Sequence, residues 1–226
     1  VIGDHLVEYV SILAMFASTA TKMAREIYTL MKQEFGEVEE PIPPGKVGSS
    51  TMPQKRNPWR SQKVIAWGRE VRMFVPMVLE AMQQEHEADG SGDKSFPVAI
   101  DRTCILTGEI VDALIGIFSG IKMFPNRMRK NLDLSGGLIM SEKVMLTLGN
   151  EMGRQKAHDV VYGAAQKSVN EGISFEKALG GEDEVAGRLS SSQISDLLNP
   201  ETYTGLCGYF VDKFVDTVRC FPTSLD

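Results

Sequence analysis

Cysteine is scarce in this 226-residue chain, which has three, at Cys104, Cys207 and Cys220. An odd, widely spaced set forms neither a CxxC metal site nor a disulfide framework, and it fits a reducing, cytoplasmic setting. Long hydrophobic runs are lacking as well. Stretches such as residues 111–121 are broken by Asp112, Gly116, Ser119 and Gly120, short of the roughly 18 apolar residues that a membrane span needs, so no membrane partner is expected. No charged leader precedes an apolar core near the start. The chain opens at Val1 almost directly into a helical pattern, and we expect a piece of a longer protein. Basic residues are outnumbered, for a net charge of −6, and a nucleic-acid footprint would need a broad basic face, so no such partner is expected. Convincing strands and internal repeats are missing too. What is present, 42% hydrophobic and 24% charged residues, is the ordinary composition of a globular protein with a sizeable core.

Residues 4–35 predict one long helix. Leu6, Val10, Leu13, Ala17, Ala20, Ala24, Ile27 and Met31 alternate spacings of four and three in an unbroken seam. Tyr9, Phe16, Met23 and Leu30 form a second stripe beside it. Two apolar stripes imply burial against more than one neighbour, as in the middle of a bundle. A second helix is predicted from Pro58 to about residue 82, kinked at Pro76, and a third restarts at Pro97 and runs to Ile121. Beyond Phe124 the segments shorten, separated by glycines, with Asn126, Ser141, Ser174 and Ser192 as candidate caps. The expected architecture is all-α, with a long-helix bundle over 1–124 and a small all-helical module over 125–226. The seams are too extended to be satisfied within one chain, so helices from other subunits are expected to complete the core.

Residues 41–58 cannot be a regular element. Pro41, Pro43, Pro44 and Pro53, with Gly45, Gly48, Ser49 and Ser50, describe a loop of a length that is usually functional or disordered. Residues 42–72 carry Lys46, Lys55, Arg56, Arg60, Lys63, Arg69 and Arg72 against Glu70 alone. A cationic loop on an acidic protein suits a local anionic ligand, the plainer reading being a solvated helix start. Within Gly48-Ser49-Ser50-Thr51-Met52-Pro53-Gln54-Lys55-Arg56-Asn57-Pro58, glycine lets backbone amides approach an oxyanion, Lys55 offers a point charge and Asn57 a directional donor. It is not a Walker loop, because Lys46 and Gly48 stand in the wrong order and no strand precedes them. These residues support a carboxylate- or phosphate-binding loop.

The same eleven residues resemble the signature loop of the fumarase/aspartase superfamily, GSSxMPxKxNP, at every fixed position. The likeness extends along the whole chain. Gln84-Glu85-His86-Glu87, residues 129–142 and residues 198–205 look most like the 3-carboxy-cis,cis-muconate cycloisomerase branch, with adenylosuccinate lyase close by. The resemblance implies a lyase or cycloisomerase that makes or breaks a bond β to a carboxylate through an aci-carboxylate carbanion. It implies Ser49 as the base, with Lys55 and Asn57 holding the developing dianion. Gly48, Ser50, Met52 and His86 would contact substrate, a small polycarboxylate. No metal or organic cofactor is implied, and a homotetramer with sites shared between subunits is. Ala88 stands where related chains carry Arg, and residues 89–94 match neither branch, which leaves elimination and lactonisation both open. The family's histidine segment lies upstream of the matched region. A reading of another class is a non-catalytic, crystallin-like helical scaffold. The other expectations are plainer: Arg102 in an ordinary ion pair, His86 shaping the pocket or capping the preceding helix, and the cysteines inert.

Overall fold

The computed structural model describes residues 3–42, 45, 51–52, 54–86 and 90–221, apart from the side chain of Asp93. Among the described residues the regular structure is helical but for one pair of two-residue strands, and the chain divides into two compact units, Val1–Met128 and Arg129–Asp226.

Three long helices build the first unit: α1 (Asp4–Leu30), α2 (Trp59–Ala81) and α3 (Gly92–Phe118). The predicted seam of α1 is the buried one. Val10, Ala17, Ala20 and Ala24 are fully buried, joined by Ala14 and Ile27. All but Val10 pack on Val64 and Val71 of α2 and on Leu106, Ile110, Ala113, Leu114 and Ile117 of α3. Small residues along α1 let its neighbour come close, and Gly68 of α2 uses that room. A Cβ at this glycine would overlap Thr21 Oγ1 and stand 3.1 Å from the Ala17 carbonyl. A second cluster closes the other end of the helices, with Val7, Val10, Val78, Ala81, Phe96 and Ala99.

Several boundaries differ from expectation. α1 stops at Leu30 instead of residue 35, and the chain turns back through Gly36, at φ +62°, with Glu37 N–H donating to the Leu30 carbonyl at 2.9 Å. α3 starts at Gly92, before Pro97, because buried Phe96 adds an apolar contact that rewards the extra turn. Pro97 then forgoes one backbone bond near the helix start. The strand pair was not foreseen either. β1 (Val38–Glu39) runs antiparallel to β2 (Lys122–Met123), with Val38 opposite Met123. Two-residue strands carry too little alternation to register as a pattern.

The division between the units falls within α4 (Pro125–Asp133). The second unit packs α5 (Ser141–Met152), α6 (Arg154–Glu171), α7 (Phe175–Gly180), α8 (Asp183–Ala186) and α9 (Ser191–Leu197) around Phe175, Leu148, Leu179 and Val144. Of the proposed caps only Ser174 serves as one, its Oγ accepting from Lys177 N–H at 3.2 Å. α9 is capped by Ser190, not Ser192, in a capping box with Gln193. Ser141 is the first residue of its helix, behind Met140, and α4 begins at Pro125, ahead of Asn126. The chain then passes through a 3-10 turn at Pro200–Thr202 and a break at Gly205 into α10 (Cys207–Arg219), which is exposed on every side. Among the described residues no helix is long and apolar enough to cross a membrane.

The tight contact at Gly68 yields a stability test. Gly68→Ala should destabilise the protein by about 1–3 kcal/mol through overpacking against the α1 backbone, read as a lowered thermal midpoint. The same change at Gly163, where nothing lies within 4 Å of the added Cβ, should not destabilise it.

Candidate functional site

The loop is mounted between the end of α1 and the start of α2. Its upstream flank is β1 followed by Glu40, and the two neighbouring carboxylates, Glu39 and Glu40, meet different surroundings. Glu39 turns outward, 3.3 Å from Lys122 Nζ and 3.8 Å from Arg56 Nε. Glu40 turns inward and is buried, accepting from the amides of Arg60 and Ser61 at 2.8 and 3.1 Å and from Ser61 Oγ at 2.8 Å. The Arg60 guanidinium donates to the Pro41 carbonyl at 3.1 Å. Both Arg60 and Pro41 rest on α3 and its end. A Cβ at Gly116 would stand 2.5 Å from Arg60 Nε, and one at Gly120 would stand 3.3 Å from Pro41.

Gly48, Ser49 and Ser50 lie outside the described residues. Of the downstream half, Met52 and Lys55 are exposed and Asn57 is half-buried. The Lys55 amide donates to the Met52 carbonyl at 3.0 Å, making a turn, and the Trp59 amide donates to the Asn57 carbonyl at 2.9 Å, leading into α2. Lys55 and Asn57 therefore sit just ahead of the positive end of a helix, a setting that favours negative charge on a bound group. At the loop-bearing end of α1 and α2 a groove of about 420 Å³ is lined by Arg25, Tyr28 and Thr29 of α1, by Lys32 just past its end, and by Gln62, Ile65, Ala66 and Arg69 of α2. Its charged lining is all cationic. Arg25 and Lys32 extend the basic character of residues 42–72 onto α1 and its end, where single cations carry no sequence signal.

His86 is not brought to this place. It lies beyond the far end of α2, whose 23 residues span about 35 Å at 1.5 Å per residue. Among the described residues no hydrogen bond or ion pair joins His86 to Lys55 or Asn57. Nor does it cap α2, which ends at Ala81 with Met82 as its C-cap. His86 is exposed and takes φ +56°, a left-handed conformation found in few non-glycine residues.

Arg102 forms an ion pair, with Glu70 and not with neighbouring Asp101. Its Nε and Nη2 meet both Glu70 oxygens, at 2.5 and 3.1 Å. That bidentate hydrogen bond lowers the Glu70 pKa below the ordinary carboxylate value. Cys104 is half-buried with its Sγ 3.3 Å from the Tyr9 hydroxyl, while Cys207 and Cys220 are exposed. In the second unit the tracts 129–142 and 198–205 come together. Arg129 Nη1 donates to Asn199 Oδ1 at 3.3 Å and to Glu201 Oε1 at 3.1 Å, and the Tyr203 hydroxyl donates to Glu142 at 3.1 Å.

Long helices packed through small residues, with a cationic Gly-Ser loop mounted at a helix start, define an all-helical scaffold of the lyase type. Residues 3–73 match the family model described as "Lyase", and residues 137–214 match "Adenylosuccinate lyase C-terminus". The chain is 34% identical to N-acetyl-S-(2-succino)cysteine lyase of Enterococcus italicus, over 93% of this chain and 46% of that protein. It is 35% identical to 3-carboxy-cis,cis-muconate cycloisomerase of Pseudomonas aeruginosa, with the same coverage, 93% and 46%. The solved 3-carboxy-cis,cis-muconate lactonizing enzyme of Pseudomonas putida superposes with a TM-score of 0.82 at 36% identity, over 94% of this chain and 48% of that one. The chain belongs to the fumarase/aspartase superfamily. It spans about half the length of the curated relatives it matches.

The Arg102–Glu70 pair predicts a pH dependence with a definite sign. Because the folded-state pKa of Glu70 is depressed, its stabilising contribution is present above the ordinary glutamate pKa of about 4.3 and is lost as pH falls through the lowered value. Arg102→Ala should return the Glu70 carboxyl titration, followed by NMR, to the ordinary range and flatten this part of the acid limb of stability.

Proposed function

We propose that this chain is the loop-bearing part of a lyase or cycloisomerase that makes or breaks a bond β to a carboxylate in a small polycarboxylate. The observation that carries the reading is the full signature loop, with Lys55 and Asn57 just ahead of α2 and a cationic groove at the same end of α1 and α2. In this reading Ser49 removes the proton alpha to the carboxylate. A serine hydroxyl is a poor base at its solution pKa, so a neighbouring ammonium, loop amides and exclusion of water must stabilise its alkoxide. Lys55 and Asn57 then stabilise the dianion that appears only in the transition state. Gly48 and Ser50 bind a substrate carboxylate, and Met52 and His86 line the pocket. The nearest activity is that of a 3-carboxy-cis,cis-muconate cycloisomerase, supported by identity along the chain. Adenylosuccinate cleavage with release of fumarate is the second reading, favoured by the match over residues 137–214. Adenylosuccinate and the lactone formed by the cycloisomerase each carry a saturated carbon alpha to a carboxylate, so one type of carbanion serves both. Proton removal generates it in the elimination. Addition of a carboxylate oxygen to the double bond generates it in lactonisation, where the base returns a proton to the alpha carbon.

The site is completed across subunits of a homotetramer. The length of α2 separates His86 from Lys55 within one copy, so the two can serve one pocket only from different copies. Large apolar side chains left exposed support assembly as well, among them Ile12, Met15 and Phe16 on α1 and Ile105, Ile115 and Phe118 on α3. Light scattering on the full-length protein should report a tetramer, and a well-folded monomer at micromolar concentration would contradict the shared site.

The activity test is an ultraviolet assay of the full-length protein with 3-carboxymuconate and with adenylosuccinate. Ser49→Ala should lower kcat by about 10²-fold or more, and Lys55→Met by a comparable factor. Unchanged turnover in Ser49→Ala would remove Ser49 as the base, and absence of turnover with every succinyl-type substrate would favour the scaffold reading.

A further inference from the structure

Glu40 is a buried carboxylate that the chemistry above leaves without a role. It is 2% exposed, yet among the described residues its partners include no cation. Arg60, the nearest candidate, gives its amide to Glu40 Oε1 and sends its guanidinium to the Pro41 carbonyl. Arg56 and Lys122 pair with Glu39 instead. The charge on Glu40 is met by the first-turn amides of α2, by the Ser61 hydroxyl and by the positive end of the helix. First-turn amides have no acceptor within their own helix and are normally capped by the residue just before it. Here that residue is Pro58, which makes no side-chain cap. The cap comes from the opposite flank of the loop, 20 and 21 positions upstream of the amides that it receives.

We propose that Glu40 is a positioning residue for the reaction: a long-range helix cap that fastens the two flanks of the signature loop together and so sets where Lys55 and Asn57 stand. The inference rests on the reading of this loop as catalytic. Its physical content lies in the choice of side chain. Three donors converge on two carboxylate oxygens, and both oxygens are used. Glutamine has the same length but turns an NH2 group toward either the Arg60 amide or the Ser61 pair, so one flank contact becomes a donor facing a donor. Aspartate is one methylene short of the helix. Neither replacement is conservative here. An ordinary cap would matter for stability alone. A cap that ties the loop flanks must also matter for the register of the groups between them, and a misplacement of about 1 Å in a catalytic group costs on the order of 10²-fold in rate.

The test uses the full-length enzyme with Glu40→Gln, and with Ile110→Val as a control that trims the buried core of the same unit. Glu40→Gln should lower kcat by at least about tenfold while KM stays within about threefold, the signature of contacts made in the transition state. Its oligomeric size should be that of the wild type. Ile110→Val should lower the thermal midpoint and leave kcat alone. A Glu40→Gln enzyme that turns over at the wild-type rate overturns the proposal. Should that variant fail to fold, hydrogen exchange on the wild type decides. The amides of Arg60 and Ser61 should exchange as slowly as that of Val64 in the next turn, and exchange at the rate of an open helix end overturns the clasp. Protected amides in a wild-type protein with no turnover on either substrate would overturn the catalytic reading and the positioning role with it, leaving Glu40 a stability element.

Discussion

The first unit depends on how closely α1 and α2 can approach. Alanines on α1 and Gly68 on α2 remove the side chains that would hold the two axes apart, and the gap closes until a single added carbon would strike Thr21. A loop that joins two helices inherits its end-to-end vector from them. Loosely packed axes would let that vector wander, and the groups on the loop would wander with it. Packing through small residues fixes the vector before any polar contact is made. The carboxylate at Glu40 and the guanidinium at Arg60 then act on flanks that are already close.

Much of this could be read from the residues. The alternation of four and three from Leu6 to Met31 describes the buried face of α1, because that spacing follows from helix geometry. The loop announced itself through its prolines, its glycines and its excess of cations. What escaped has physical reasons. Glu40 follows Glu37 and Glu39 in the sequence, and nothing local distinguishes a carboxylate facing water from one facing a helix start. The cap of α9 slipped by two residues because three consecutive serines, Ser190, Ser191 and Ser192, offer equivalent hydroxyls, and only the reach of Gln193 selects Ser190. The groove at the loop-bearing end draws half its lining from α1 and its end, and a surface made by two helices has no linear trace.

The charge arrangement around the loop follows a division of labour between neighbouring carboxylates. Glu39 ends β1 and Glu40 follows it, the first half-buried and the second buried. One meets mobile ammonium and guanidinium groups at the surface, where solvent weakens the pairing. The other meets fixed amide dipoles in the interior. Among the described residues no cation pairs with Glu40, and Lys55 is exposed on its turn, where an incoming anion can meet it.

Gly116 and Gly120 lie one helical turn apart, leaving a bare strip at the end of α3 on which Arg60 and Pro41 rest. The foundation of the loop therefore includes positions more than fifty residues downstream of it in the chain. Variation that looks remote and innocuous on a linear map, even glycine to alanine, would be felt at the anchorage of the loop. A catalogue of damaging variants in this protein should thus show a second hot region, spatially continuous with the first and separated from it only by the path of the backbone.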